Sequence, residues 1–385
     1  MKKVLLVPDS FKGTMSSLEI CHIMERAIKK HAPACEVVSI PVADGGEGTV
    51  DSFLAAVGGE KVTLPVKGPS MEDVEGFYGI LPDGTAVIEM AAAAGLPLAG
   101  EANRVEKATT YGVGQLIVAA AARGCREIVI GLGGSATNDL GCGAAAAAGV
   151  RFMDSGGNEF VPVGETLGRI AKIDVSAAEK KLAGIRIVAM CDVDNPLCGA
   201  NGAAYVFAPQ KGADRAMVEL LDQNLQKVAA VVRSELGMDI SNMAGAGAAG
   251  GMGAGMTAFF GAQLRAGIEA VLDTVKFDTL IENADMVFSG EGRIDTQSLR
   301  GKVVIGVARR AQKHHVPVVA IVGDIGGDID AAYDMGVAGI FSINRVAVPF
   351  SQASLRAKDD LFLTMDNLMR FIKARGEADG GQAYL

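Results

Sequence analysis

The chain has 385 residues, of which 49% are hydrophobic, so it is long enough for two domains with substantial cores. Its formal net charge is −9, and because a nucleic-acid-binding face needs clustered Lys and Arg, nucleic acid is excluded as a partner. No run approaches the ~18 uninterrupted apolar residues of a membrane span, so no membrane partner is expected.

The N-terminal part of the chain alternates between strand and helix patterns. Residues 4–7 form a wholly apolar run, which is typical of a buried parallel strand. Residues 16–30 carry apolar side chains at helical spacing, and Ser16 and Glu19 resemble a capping box. A second strand is expected at residues 36–42. The first apolar run is too short for a signal peptide, because Asp9 ends it.

The middle of the chain begins with short alternating segments between residues 60 and 89, which predict the hairpins of a mixed sheet. Beyond them, the patterns predict further helices at residues 109–123, 141–149 and 213–235, and strands at 127–130 and 186–190.

The last third shows a plain doubly wound α/β pattern. It predicts strands at residues 285–288, 316–321 and 339–342, and helices at 302–312, 329–335 and 351–374. The fold expected is α/β with two domains. A Rossmann/flavodoxin-like three-layer domain would comprise residues 1–65 and 266–385, and a second α/β domain of mixed sheet, residues 66–265, would be inserted into it.

Cysteine and histidine usage excludes several classes of site. The six cysteines are irregularly spaced and form no C-x-x-C motif, which predicts reduced thiols in a cytoplasmic protein. None of the four histidines has metal-ligand spacing, and no G-x-S-x-G motif occurs, so zinc and serine hydrolases are excluded.

Five predicted strands are followed by acidic or glycine-rich loops. Because ligands of open α/β sheets bind beyond the carboxyl ends of the strands, these loops are candidate site segments. One such loop alone is more often a turn or a helix cap. Five together favour phosphoryl transfer, which needs donors and cations for phosphate charge, carboxylates for Mg²⁺ and a base for the attacking hydroxyl. The loops are residues 9–13, 44–49, 131–139, 192–194 and 289–297.

The common nucleotide-binding signatures are weak or missing. The sequence contains no G-x-x-x-x-G-K-[S/T] motif. A G-x-G-x-x-G run occurs at Gly245, Gly247 and Gly250, but no predicted strand precedes it, so it is poor evidence for a dinucleotide site. Three interpretations of this segment remain: a flexible phosphate-binding loop, a hinge, or glycines needed only for packing.

Six segments, in order along nearly the whole chain, together resemble the bacterial glycerate kinase family of the first type, which acts on D-glycerate. Two departures concern detail only: Val303 and Val304 stand where a Pro-containing helix start is expected, and residues 322–327 are unusually acidic. The matching segments are residues 8–13 (Pro-Asp-Ser-Phe-Lys-Gly), 43–49 (Ala-Asp-Gly-Gly-Glu-Gly-Thr), 131–139 (Gly-Leu-Gly-Gly-Ser-Ala-Thr-Asn-Asp), 191–197 (Cys-Asp-Val-Asp-Asn-Pro-Leu), 247–251 (Gly-Ala-Ala-Gly-Gly) and 290–297 (Gly-Glu-Gly-Arg-Ile-Asp-Thr-Gln).

The resemblance implies an active cleft between the two domains, with ATP and Mg²⁺ as co-substrates and D-glycerate as the phosphoryl acceptor. The expected product is 2-phosphoglycerate, with 3-phosphoglycerate as the alternative. Asp192 is expected to be the general base, because partial burial at the mouth of an apolar strand would raise its basicity. The other candidates are Asp44 and Lys12 in catalysis; Ser10, Arg293, Asp295 and Glu291 in substrate binding; Gly133, Gly134, Ser135, Gly247, Gly250 and Gly251 in nucleotide binding; and Glu47 and Asp194 as metal ligands.

Two other classes of function remain as alternatives. An NAD-dependent hydroxy-acid oxidoreductase would use the G-x-G-x-x-G run, and a non-enzymatic metabolite sensor would use the same two-lobed arrangement. Binding alone needs fewer carboxylates than these loops supply, which favours the enzyme. The sequence leaves the oligomeric state open, a homo-oligomer included.

Overall fold

The computed structural model of the protein describes residues 1–43, 45–100 and 104–378, in which strands and helices alternate, and it confirms the α/β class. The strands are β1 (Lys3–Pro8), β2 (Glu36–Ser39), β3 (Glu60–Lys67), β4 (Asp73–Ile80), β5 (Thr85–Glu89), β6 (Glu127–Gly131), β7 (Arg151–Met153), β8 (Glu159–Phe160), β9 (Lys172–Asp174), β10 (Arg186–Met190), β11 (Gln263–Arg265), β12 (Met286–Ile294), β13 (Val318–Ile325) and β14 (Val337–Ser342).

The helices connect these strands and cover their faces. Short 3₁₀ helices lie at Gly164–Arg169, Pro209–Lys211 and Ser298–Arg300. The α-helices are α1 (Ser17–His31), α2 (Thr49–Val57), α3 (Ala91–Ala94), α4 (Leu96–Ala99), α5 (Tyr111–Ala122), α6 (Cys142–Ala148), α7 (Ser176–Lys181), α8 (Ala203–Phe207), α9 (Arg215–Leu236), α10 (Ala248–Phe260), α11 (Gly267–Thr274), α12 (Phe277–Leu280), α13 (Val303–Gln312), α14 (Ala331–Asp334) and α15 (Phe350–Ala378).

The described residues fall into two compact units. The first consists of residues 1–43, 55–57 and 268–378, and the second of residues 45–54 and 58–267. Residues 45–54, 58–65 and 266–267 were expected in the first domain but lie in the second unit. For residues 60–65 the reason is that β3 pairs along its whole length with β4. No helix in the described part of the chain is both long and apolar enough to cross a membrane.

The first unit is built on a parallel five-stranded sheet in the order β14-β13-β12-β1-β2. Renumbered along the chain, this is the 2-1-3-4-5 order of flavodoxin-like folds. Val4 and Leu6 of β1 pack into one apolar core with side chains of α1 and α15. Leu5 and Val7 point to the other face of the sheet and are also fully buried. The wholly apolar run is therefore covered on both faces.

Helix α1 begins with the capping box that the sequence predicts. Ser16 Oγ accepts a hydrogen bond from the Glu19 backbone N–H, and the Glu19 carboxylate accepts one from the Ser16 backbone N–H. Both groups are N–H donors that a helix start leaves without intrahelical partners. The cap therefore fixes where the chain turns from the β1 loop into α1.

The second unit is built on a mixed six-stranded sheet in the order β11-β10-β6-β5-β4-β3. Strands β3, β4 and β5 form the predicted antiparallel hairpins, and β5, β6, β10 and β11 run parallel. A further three-stranded sheet, in the order β8-β7-β9, was not predicted because its strands have only two or three residues each.

Small residues let α5 and α6 approach closely in the second unit. A Cβ added to Gly114 of α5 would lie 2.1 Å from the carbonyl oxygen of Ala144 in α6. The backbones of α5 and α6 therefore pack directly against each other. The alanines of α6 belong to the unit's apolar core, which α6 joins to the loop after β6.

Candidate functional site

In the first unit, the segment after β1 lies against the end of β12. The Asp9 backbone N–H donates to the Gly290 carbonyl oxygen at 2.8 Å. A Cβ at Gly292 would lie 3.6 Å from the Cα atom of Phe11. Lys12 follows on an exposed turn that begins at the buried Phe11. Two of the predicted site segments, 9–13 and 289–297, are thus neighbours.

Strand β12 is longer than the sequence predicts. Residues 289–294 were expected in a loop because of their glycines and charges, but they continue the strand and pair with β13. Glu291 lies opposite Val322, and Arg293 lies opposite Asp324. Because side chains alternate along a strand, Glu291 and Arg293 project to the same face of the sheet. Parallel pairing overrides the local turn propensity here.

Arg293 is surrounded by acid groups. Its Nε atom lies 3.8 Å from Asp295 Oδ2 and 3.9 Å from Asp324 Oδ2. Its side chain is 61% exposed, so these ion pairs contribute little to stability. The guanidinium remains suited to a bidentate grip on a carboxylate or phosphate.

Glu291 is the buried acid of this cluster, with 4% of its surface exposed. Its Oε2 atom accepts a hydrogen bond of 2.9 Å from Ser298 Oγ. Its Oε1 atom is buried and has no hydrogen-bond partner among the described residues. Burial raises the pKa of Glu291 to about 7, although the Ser298 hydrogen bond and the charge of Lys302 act in the opposite direction.

In the second unit, the loop after β6 supplies Gly133, Gly134 and Ser135. Gly134 is exposed and has φ +73°, a conformation that favours glycine. The N–H groups of Gly133 and Ala136 donate within the protein, to the carbonyl oxygens of Gly45 (2.9 Å) and Ala94 (2.9 Å). These two donors are therefore not available to cradle phosphate, in contrast to the expectation from the sequence.

Close backbone contacts join the predicted loops of this unit. A Cβ at Gly131 would lie 2.3 Å from the Gly45 carbonyl oxygen, and one at Gly250 would lie 2.1 Å from that of Thr137. The Gly247 N–H donates to the Asn195 carbonyl oxygen at 3.0 Å. The loop after β6 thus contacts the segment around Gly45 and the glycine turn around Gly250, and that turn also contacts the segment around Asn195. Each contact requires a residue without a Cβ.

The glycine run at residues 245–251 does not form a dinucleotide fingerprint. It is preceded in the chain by α9, where the fingerprint needs a strand. Gly250 and Gly251 have φ +69° and +89°, so the chain makes a left-handed turn before the regular part of α10. The oxidoreductase alternative therefore loses its structural support.

Lys211 is a charged residue that sequence reasoning missed. It is 2% exposed, and its Nζ atom donates to Ser135 Oγ and to the Thr137 carbonyl oxygen, both at 2.7 Å. Burial lowers the pKa of Lys211 to about 7, against the opposing influence of Asp139. No motif reveals this residue, but its position in Pro-Gln-Lys-Gly, directly before the long helix, marks a turn whose side chain could fold inwards.

Asp139 explains how the same loop is held. It is fully buried, and its carboxylate accepts hydrogen bonds from Thr110 Oγ1 and from the backbone N–H groups of Thr110, Gly141 and Gly143. Burial nevertheless raises the pKa of Asp139 above its ordinary value. The sequence analysis quoted this residue within its segment without giving it a role. Its bonds are those of a structural anchor.

Asp192 does not have the environment that was expected of it. Its side chain is exposed, so the partial burial that was expected at the mouth of the strand is not found. Its Oδ1 atom accepts a hydrogen bond of 2.7 Å from the backbone N–H of Gly267, the first residue of α11. Asp192 therefore satisfies a donor at the start of that helix.

The predicted metal ligands Glu47 and Asp194 are both exposed, and Asp44 lies outside the described residues. Among the residues that the structure describes, no group of three or more His, Cys, Asp or Glu side chains could hold a metal ion. Mg²⁺ commonly binds through one or two carboxylates together with substrate phosphates. The carboxylates of Glu47 and Asp194 are of the type that this mode of binding uses.

A family model described as the glycerate kinase family matches residues 4–373. A glycerate kinase from Bacillus cereus is 44% identical over 377 residues, covering 97% of this chain and 99% of the relative. A glycerate 2-kinase from Escherichia coli K12 is 42% identical over 368 residues, covering 95% and 97%.

A solved structure shows the same overall likeness. The crystal structure of a protein from Salmonella typhimurium LT2, assigned as glycerate kinase 2, matches with a TM-score of 0.86 at 40% sequence identity. The match covers 98% of this chain and 99% of the Salmonella chain.

Proposed function

The chain belongs to the glycerate kinase family, and from this premise we propose that it transfers the γ-phosphoryl group of ATP to a hydroxyl of D-glycerate. The observation that carries the proposal is the match over residues 4–373, because it includes every predicted site segment. The chain covers 99% of the Bacillus cereus relative and 97% of the Escherichia coli relative, so the likeness is not confined to one of the two units.

The favoured product is 2-phosphoglycerate. The Escherichia coli relative is named a glycerate 2-kinase, and its 42% identity supports the same choice of hydroxyl here. The alternative, 3-phosphoglycerate, differs only in which hydroxyl faces the γ-phosphorus atom.

We assign glycerate binding to the first unit. Lys12 and Arg293 provide cations for the substrate carboxylate, and Arg293 is suited to a bidentate grip. Ser10 and Asp295 supply hydrogen bonds to the hydroxyls. Glu291 supplies a buried carboxylate oxygen without a described protein partner, placed to accept a hydroxyl proton.

We assign binding of the ATP phosphates to the second unit. Gly134 and Ser135 offer backbone N–H groups and a hydroxyl, and the turn of Gly247, Gly250 and Gly251 packs against the same loop through Thr137. Glu47 and Asp194 would hold Mg²⁺, which would neutralise phosphate charge when bound.

In the reaction proposed, the glycerate hydroxyl oxygen bonds to the γ-phosphorus atom. The bond from that phosphorus to the bridging oxygen breaks, and ADP leaves. The hydroxyl proton passes to a carboxylate. We propose Glu291 for this role, because a base works best with a pKa near the working pH and burial raises the pKa of Glu291 to about 7. Asp192 remains the second candidate.

A phosphorus NMR spectrum of the products tests the function. Purified protein is incubated with ATP, MgCl₂ and D-glycerate, and its signals are compared with authentic 2- and 3-phosphoglycerate. We expect ADP and 2-phosphoglycerate in equal amounts. Formation of ADP without phosphoglycerate, or no ADP at all, would contradict the proposed activity. Omission of Mg²⁺ should reduce turnover to background.

A metabolite sensor would bind glycerate or ATP without consuming either. The same samples distinguish this alternative, because binding measured by calorimetry would then occur without product. NAD(H) is included as a ligand control, and we expect no heat of binding from it.

A further inference from the structure

The side chain of Lys211 lies behind the Ser135 hydroxyl rather than at the surface of the loop after β6, residues 131–139. Its Nζ atom is 2.7 Å from Ser135 Oγ and 2.7 Å from the Thr137 carbonyl oxygen. Lys211 is 2% exposed and Ser135 is 6% exposed. An ammonium group so deeply buried is costly unless it is hydrogen-bonded, and Lys211 donates two such bonds to the loop after β6.

The direction of these hydrogen bonds constrains the Ser135 hydroxyl. In its protonated form Lys211 has three donors and no acceptor, so Ser135 Oγ then accepts from it. The hydrogen of the hydroxyl then points away from Lys211, towards another acceptor. A hydroxyl that accepts a bond from a cation also becomes a better donor, because hydrogen bonds in a chain polarise one another.

Two further side chains of the loop have buried polar atoms without a hydrogen-bond partner among the described residues. Thr137 Oγ1 and both polar atoms of the Asn138 amide are buried without a hydrogen-bond partner among the described residues. Thr137 and Asn138 are both 0% exposed. Buried polar atoms without a hydrogen-bond partner are rare in folded proteins and call for an explanation.

The acid group of Asp139 favours the protonated form of Lys211. Asp139 raises the tendency of Lys211 to hold its proton, and its own carboxylate is anchored by the Thr110 hydroxyl and by backbone N–H groups. The loop therefore carries an ammonium behind the Ser135 hydroxyl and a carboxylate that is already fully engaged.

We propose that Lys211 is a positioning residue for the nucleotide: its ammonium turns the Ser135 hydroxyl outwards as a donor to an anionic phosphate oxygen. This inference rests on the proposed function, in which the loop binds ATP. Lys211 itself touches no substrate. It acts through Ser135, and its removal leaves the hydroxyl free to turn inwards and donate to the Thr137 carbonyl oxygen instead.

A double-mutant cycle on ATP binding tests the coupling. Calorimetric Kd values for Mg-ATP, without glycerate, are measured for the wild type, Ser135→Ala, Lys211→Met and the double variant. Loss of one hydrogen bond to a charged group should raise Kd about tenfold in each single variant. The double variant should show no further loss, because Lys211 acts only through Ser135. Lys180→Met, an exposed lysine of α7, is the matched control and should keep the wild-type Kd.

A purely structural Lys211 predicts a different pattern. Lys211→Met would then lower the melting temperature and weaken ATP and glycerate binding alike, and the Ser135→Ala effect would add to it. Either additive losses or an unchanged Kd in Ser135→Ala overturns the inference. Failure of the wild type to bind ATP would instead overturn the proposed function.

A second measurement needs no variant and covers the case in which Lys211→Met does not fold. In a crystal structure of the wild-type protein with Mg-ATP, we expect Ser135 Oγ within hydrogen-bonding distance of a phosphate oxygen and Lys211 Nζ still bonded to Ser135. Direct contact between Lys211 and the phosphate, or a Ser135 hydroxyl remote from it, contradicts the inference.

Discussion

Ser298 Oγ donates a hydrogen bond of 2.9 Å to Glu291 Oε2, which leaves the other carboxylate oxygen of Glu291 buried without a described partner. Ser298 begins a short 3₁₀ helix, and its N–H faces the Asp295 carboxylate. The turn after β12 thus holds Glu291 in one orientation. A carboxyl fixed in this way can take up a substrate proton without first reorganising.

Glu291→Gln should lower kcat by at least about 10², since an amide cannot accept the hydroxyl proton. In the wild type, kcat/KM should rise with pH and level off above the Glu291 pKa of about 7. Steady-state rates between pH 5.5 and 9 check both points. Glu36→Gln, an exposed site on β2, is the control and should behave as wild type. A flat pH profile, or turnover in Glu291→Gln close to normal, would exclude Glu291 as the base.

The same variant should be more stable than the wild type at alkaline pH. The pKa of Glu291 is raised by burial from 4.5 to about 7, so the folded state binds this proton more tightly and wild-type stability falls as pH rises through that window. At pH 8 the gain in unfolding free energy should approach about 3 kcal/mol, and it should disappear below pH 4.5. Urea unfolding at both pH values measures it. A gain that is independent of pH would contradict the burial argument.

Asp192 can be tested by separating its charge from its capping bond. Asn keeps an oxygen acceptor for the Gly267 N–H, so Asp192→Asn should retain turnover and stability, whereas Asp192→Ala should lose about 1 kcal/mol of unfolding free energy. Kinetics and urea unfolding are measured on both variants. A hundredfold fall of kcat in Asp192→Asn, with normal unfolding, would instead make Asp192 the base.

Several elements could be predicted from sequence because their signals are local. The apolar run in β1 and the Ser16–Glu19 capping box both predicted structure that the protein has. The strand character of residues 289–294 could not be seen, because it depends on pairing with β13. The turn at Pro-Gln-Lys-Gly is the one local signal at Lys211, and its burial depends on tertiary packing. Exposure of Asp192 likewise depends on distant neighbours.

Gly250→Ala tests the close approach of the glycine turn to the Thr137 carbonyl oxygen. An added Cβ would lie 2.1 Å from that oxygen, at φ +69°, so both strain and overlap oppose it. Gly84→Ala is the control, because its φ is +84° and no atom lies within 4 Å of the added Cβ. We expect a loss of about 1 kcal/mol in the control and at least about 3 kcal/mol in Gly250→Ala, by urea unfolding. Equal losses would mean that the contact is easily relieved.

Asp366 of α15 contacts three basic side chains, of which Lys30 and His31 belong to α1 and Arg370 to α15 itself. Its carboxylate lies 2.7 Å from Lys30 Nζ, 2.8 Å from His31 Nε2 and 3.0 Å from an Arg370 nitrogen. The Lys30 and His31 hydrogen bonds hold the pKa of Asp366 well below its ordinary value.

Asp366→Asn should therefore destabilise the protein by about 1 kcal/mol at pH 7. The ionised form is favoured by folding, so this stability is present above pH 4 and is lost as pH falls further. Chemical unfolding at pH 7 and pH 3 measures the change. Asp359→Asn, exposed on the same helix, should have no effect at either pH. If the loss of unfolding free energy in Asp366→Asn stays constant down to pH 3, the ionic explanation is excluded.

The central strand pair of the first unit joins residues that are synthesised far apart in time: Val4 of β1 lies beside Met286 of β12. A ribosome adding 5–20 residues per second needs on the order of tens of seconds between these two positions. Throughout that interval the nascent β1 lacks its β12 partner, and by its end all residues of the second unit have been synthesised. Translation therefore imposes an order of assembly, in which the apolar first strand completes its central pairing only after the second unit has been made.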